Sequence, residues 1–142
     1  SGTTANKADR WIQDLARSLA SGATESLDLY DYVDINPGPG TGRDLIGNIV
    51  TVAEIVLLAI HNDSASTGSL IIGGEGSAAA WNSPFNASDT AKVGLFGPDG
   101  WCIFYRPDDP AFAVADTTNH LLKIEASGGA VTYDLFIMAR SA

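Results

Sequence analysis

Few side chains in this sequence could do chemistry near neutral pH, and their spacing does not favour it. The only histidines, His61 and His120, each sit beside an asparagine at the end of an apolar run. The single cysteine, Cys102, lies inside Trp101-Cys-Ile-Phe-Tyr105. A histidine beside a hydroxyl or thiol nucleophile would give acyl transfer, and two histidines with an acid would hold zinc. Neither Gly-x-Ser-x-Gly nor His-Glu-x-x-His occurs, so the histidines read as strand-end turn residues. Cys102, in its apolar setting, reads as a small buried hydrophobe. With one cysteine, no intrachain disulfide can form.

The acids are the next candidates. Asp28, Asp31 and Asp34, or Asp99 with Asp108 and Asp109, could offer oxygens to calcium, but no Asp-x-Asp-x-Asp-Gly loop gathers the six to eight ligands calcium takes. They read as solvated turn acids. Gly38-Pro-Gly-Thr-Gly-Arg-Asp44 superficially resembles a phosphate loop, yet Pro37, Arg43 and Asp44 stand where the first glycine, the lysine and the magnesium-binding hydroxyl belong. Tyr30, Tyr32, Trp81, Trp101 and Tyr105 could stack on a sugar, against the plainer reading of core and interface packing. The chain is therefore read as no enzyme, with no cofactor and no metal, working through its surfaces.

The charge distribution narrows the partners. The formal net charge is −9. Residues 1–22 hold Lys7, Arg10 and Arg17 against Asp9 and Asp14, so the acidity lies in the rest. Five scattered cations there, without aromatic interleaving, argue against nucleic acid as a partner. The longest apolar run, Ile55 to Ile60, is far short of the roughly 20 residues of a membrane helix, so no membrane partner is expected.

The elements that would position these residues follow from periodicity. Ala8, Trp11, Ile12, Leu15 and Leu19 recur at i, i+3 and i+4, which predicts an amphipathic helix over residues 6–21, capped by Asn6 and stopped by Gly22. A helix this short needs a surface to pack on, its own body or another chain. Residues 1–24 are thus expected to form a helical arm, with Trp11, Ile12, Leu15 and Leu19 as its partner-binding stripe, and residues 25–142 a β-sandwich domain. Short strand-type runs cut by turn residues fill that body. A first strand is predicted over Leu27 to Ile35. Glu54 to His61, apolar at consecutive positions, suits a strand covered on both faces, with helix as a competitor over Val52 to Ala59.

Three hairpins are expected: residues 54–61 with 69–73, 92–96 with 101–105 through Gly97-Pro-Asp-Gly100, and 121–126 with 130–139 through Ser127-Gly128-Gly129. Phe112 to Val114 adds a short strand. The loop 74–90 holds Trp81 and Phe85, aromatics that would anchor it to the core or contact a neighbour. About eight strands with no βα alternation predict an all-β fold, an antiparallel β-sandwich of jelly-roll-like form with an N-terminal helix.

Several of these stretches also carry a likeness: Leu57-Leu-Ala-Ile-His-Asn62, Thr67-Gly-Ser-Leu-Ile-Ile-Gly-Gly74, Trp81 and Phe85, Gly97-Pro-Asp-Gly100, Leu121-Leu-Lys-Ile-Glu-Ala126 and Val131-Thr-Tyr-Asp-Leu-Phe-Ile137. Over residues 55–139 the chain resembles a group of small bacteriophage virion proteins. The resemblance implies a capsid decoration or cement protein with a jelly-roll-like body. It would bind the major capsid protein on the capsid surface of the virion and form a homo-oligomer, a homotrimer. The alternative is a carbohydrate-binding host-recognition module of a phage tail fibre or spike.

Overall fold

In a computed structural model, which describes residues 7–32 and 51–141, the chain is all-β and antiparallel. Nine strands occur among the described residues: β1 (Arg10–Leu19), β2 (Thr24–Asp28), β3 (Val52–Asn62), β4 (Ser69–Gly73), β5 (Lys92–Phe96), β6 (Trp101–Tyr105), β7 (Phe112–Ala113), β8 (Leu121–Ser127) and β9 (Val131–Ser141). The first sheet runs β1-β9-β3-β6, with the two-residue β7 also on β3; the second runs β2-β8-β4-β5. Alternation sets the inner faces. Tyr133, Leu135, Ile137 and Ala139 of β9 and Leu58 and Ile60 of β3 meet Leu122, Ile124 and Ala126 of β8 and Leu70 and Ile72 of β4 in one core.

The N-terminal segment corrects the first expectation: Arg10–Leu19 is a strand, hydrogen-bonded along β9, and no helix forms there. The reason is a β-bulge. Asp14 pairs with Leu135 and Arg17 with Tyr133, so Leu15 and Ala16 together oppose Asp134. Ala16 takes a positive φ of 57°, and its N–H donates to Asp134 Oδ1 at 2.9 Å. The extra residue switches the parity of the strand, putting Ile12 and Asp14 inside before it and Arg17 and Leu19 inside after it. A strand of period two with one added residue thus imitates the spacing of a helix.

The hairpins need correction too. β3 and β4, β5 and β6, and β8 and β9 are each split between the two sheets, so their turns arch across the core and join no hydrogen-bonded pair. The predicted helix competitor over 52–59 is likewise a strand. Gly128 keeps its turning role, with φ at 76°. Gly129 serves close approach, since a Cβ there would lie 2.6 Å from the Thr67 carbonyl of the neighbouring arch. Asn62, fully buried, ties arches together by donating to the carbonyls of Gly68 (3.0 Å) and Phe96 (2.9 Å). The predicted strand 27–35 shrinks to β2, which ends at Asp28; residues 33–35 and the phosphate-loop lookalike at 38–44 lie outside the described residues.

One end of the core holds a charge network. Arg17, largely buried, is bonded to both Asp14 and Glu25 and donates from Nε to Tyr133 Oη at 2.9 Å. Tyr133 donates to Glu25 at 2.5 Å, and Tyr32 donates to Asp14 at 2.8 Å. Because Glu25 lies on β2 and Arg17 on β1, the network clamps one sheet to the other. Burial alone would depress the Arg17 pKa, but Glu25, Tyr133 and Asp14 outweigh it and the guanidinium is raised instead. Burial, aided by Asp14 and Glu25 respectively, raises the phenols of Tyr32 and Tyr133.

Two outcomes follow. Deleting residues 1–22 should leave the rest unfolded or strongly destabilised by circular dichroism. Loss of Ile12 alone removes about 2–4 kcal/mol, and Glu25 loses its buried cation. A truncated chain with the parent melting temperature would show β1 to be dispensable. The two phenols carry the pH dependence: with folded pKa values above the ordinary 10.0, their contribution is complete below pH 10.0 and is lost as pH rises beyond it. Melting temperature should therefore fall above that pH, and less steeply in Tyr32→Phe and Tyr133→Phe; identical slopes would disprove the assignment.

Candidate interaction surface

Between the Glu54–Arg140 pair and the Ser18–Thr132 pair, the outward side chains of the first sheet form a face that is largely apolar where solvent-facing strands are ordinarily polar. Cross-strand register arranges it in three rows. The first is Trp11–Met138–Leu57–Tyr105, the second Gln13–Phe136–Ala59–Ile103. The third runs from the bulge at Leu15 through Asp134 and His61 to Trp101. β9 and β3 are central strands, while β1 and β6 are the margins. Trp11 and Leu15 on one margin, and Trp101, Ile103 and Tyr105 on the other, are exposed, Tyr105 by 63%.

Local interactions hold these side chains up. His61 and Trp101 stack at 4.4 Å between ring centroids with planes 22° apart, and Phe136 continues the stack at 6.4 Å from Trp101. The imidazole lies between two carboxylates, with Nδ1 3.7 Å from Asp134 and Nε2 3.8 Å from Asp99. Of these, His61 and Asp134 lie on the rows, where the Tyr105 phenol is the only other ionisable group, while Asp99 belongs to the turn between β5 and β6. An aromatic ladder on an otherwise uncharged sheet surface binds by burial and shape.

The stripe expected at the N-terminus divides. Trp11 and Leu15 reach the outer face, while Ile12 is buried and Leu19 packs on the core. Trp81 and Phe85 face inward: Trp81 is 2% exposed, donates from Nε1 to the Ala113 carbonyl at 3.0 Å, and meets Phe104 and Phe112 edge to face. They anchor loop 74–90, which includes a 3-10 turn at Ser83–Phe85, to the core. Of the aromatics considered for sugar stacking, Tyr32 and Trp81 are buried, and Trp101 and Tyr105 share the outer face. Phe136, Met138, Leu57 and Ile103 complete that face without having been singled out in the sequence; their signal was apolar residues at both parities of a strand.

The other candidates stay separate. His120 approaches Asp28 at 3.9 Å, away from His61, and no group of three or more His, Cys, Asp or Glu residues among the described residues could hold a metal ion. Asp28 accepts instead from the Tyr30 and Asp31 amides, as turn acids do. Burial pushes the Cys102 thiol up to about 11, which keeps it protonated and inert. An open depression of 340 Å³ at one end of the molecule is lined by Ser18, Ser66, Thr67 and Thr132 with alanines, Leu19 and Val131 between, and has no charged or aromatic group in its lining.

The contrast between the two aromatic sets is measurable. In the monomer, at protein concentrations low enough to leave the chain unassociated, Tyr105→Ala and Ile103→Ala should change unfolding free energy by no more than about 0.5 kcal/mol, whereas Trp81→Ala should cost about 3–5 kcal/mol in denaturant titrations. Comparable losses at all three positions would mean that the outer face is part of the folding core. Compared with known proteins, the chain matches no family model, no curated protein and no solved structure.

Proposed function

We propose that this chain is a structural protein of a bacteriophage virion, of the capsid decoration or cement type, which lies on the capsid exterior and stabilises the shell through contact with the major capsid protein. The observation that carries the reading is the outer face of the first sheet. A broad apolar surface with one histidine and one acid on its rows, on a chain of net charge −9, is suited to docking protein. Each such contact contributes about 25 cal/mol per Å² of apolar surface buried, and repetition over a lattice multiplies a modest affinity into a durable coat.

Strand order lends support. Leaving out β7, the first strand pairs with the last, the second with the seventh, the third with the sixth and the fourth with the fifth. We read this nested pairing, folded into two four-stranded layers, as a jelly roll, an architecture that serves viral capsid and lectin domains. Folds host many functions, so the weight rests on the face and not on the roll. The residues that resemble phage virion proteins include those of β3, β4, β8 and β9, the central strands of the two sheets.

One observation favours the recognition-module reading: Trp101 and Tyr105 are exposed on one side of an edge strand, in reach of a saccharide chain. Immunogold electron microscopy of particles from a producing lysate separates the two. Gold over heads is the expected result. Gold confined to tails transfers the assignment to a fibre or spike, and unlabelled particles with a working antibody overturn the virion reading.

A further inference from the structure

We propose that a second copy of this chain packs on the outer face of the first sheet, face to face, about a two-fold axis parallel to the strands. The inference rests on reading that face as a protein-docking surface; it gives the face to a sibling copy in place of the capsid protein, so that the unit meeting the shell is the pair, through surface outside these rows.

An isologous contact demands reciprocity: where residue i of one copy meets j of the other, j must also meet i. Stacked sheets keep their strands within about 30° of one another, so a strand-parallel axis sets β1 of one copy over β6 of the other, and β9 over β3. Each cross-strand row then faces itself in reverse. In the first row Trp11 meets the second copy's Tyr105, and Met138 meets Leu57. In the second row Phe136, the bulkiest outward side chain of its strand, falls over Ala59, the smallest of its own, and Ile103 meets the stem of Gln13. In the third row Leu15 meets Trp101, and the acid Asp134 meets His61. Every row is therefore self-complementary, apolar to apolar, large to small, and acid to imidazole. An unrelated partner would impose no such relation between opposite margins of one sheet.

Charge points the same way. Two copies at −9 repel through most of their surface, and approach is least opposed where formal charges are fewest. The exposed apolar residues of this face lie at both margins, β1 and β6, so only a partner as wide as the sheet itself covers them together. The resemblance implied a three-fold assembly; the rows favour a pair as the unit of contact.

The test uses the purified full chain with no virion particle present, so that it is independent of the function proposed above. Sedimentation equilibrium should give twice 14.8 kDa for the parent chain. Ile103→Glu, at an exposed position, should give the single mass with an unchanged circular dichroism spectrum. Adding Gln13→Lys to Ile103→Glu should restore the double mass, because positions 13 and 103 face each other between copies but sit on opposite margins within one. A monomeric parent chain, a dimer that survives Ile103→Glu, or a double variant that stays monomeric would each overturn the proposal. A monomer that still decorates capsids would sink this inference alone, and a dimer that labels no particle would sink the virion reading alone.

Discussion

A single added residue in β1 governs much of this molecule. The bulge at Leu15 and Ala16 turns Arg17 into the space between the sheets, where Asp14, Glu25, Tyr32 and Tyr133 satisfy it. Without the bulge the strand's parity would send Arg17 to solvent and leave Asp14 and Glu25, each hydrogen-bonded to one phenol, without their cation. A buried ion network is not automatically a gain in stability over apolar packing, but once present it is expensive to break and it fixes register. Here it fixes the register of β1 on β9 and the position of β2 opposite them. The same bulge leaves Trp11 and Leu15 on the outer face, so the clamp inside and the surface outside share one cause.

The all-β class and most strand positions were legible because turn residues interrupt the chain at short intervals and the runs between them are too short for helices. β4, β5 and β6 occupy the predicted spans. Partnership was not legible. A glycine turn between two strands looks the same whether the strands pair in one sheet or arch between two, since the local backbone requirement is equal and only distant residues decide. The N-terminal strand was misread for a related reason: spacing of four satisfies both a helix and a strand, and the bulge moved Leu19 back into phase seven residues after Ile12.

The surface was partly legible. Reading Glu54 to His61 as apolar on both faces described its outer residues correctly, since Leu57 and Ala59 are themselves largely covered by neighbours on the sheet. Trp101 and Tyr105 stood out as aromatics, but nothing local ties them to Trp11, ninety residues away, or to Phe136. That grouping exists only through β9 and β3, which bring four distant segments into register. Trp81 is the opposite case: in a loop of small polar residues it could have anchored the core or met a neighbour, and Phe104 and Phe112, edge to face, with the Ala113 carbonyl on its N–H, hold it inside.

The adjacency of β1 and β9 has a mechanical side. Arg10 pairs with Ala139, Arg140 donates to the Lys7 carbonyl at 2.9 Å, and Ser141 is held by Asp9, so both ends of the described chain come together at one corner. A tension pulling those ends apart would act across the ladder and open it rung by rung, each hydrogen bond loaded in turn. Force entering through the broad side of the sheet would be shared by many strands at once. The molecule is thus weak when tugged by its ends and stiff when loaded through its face.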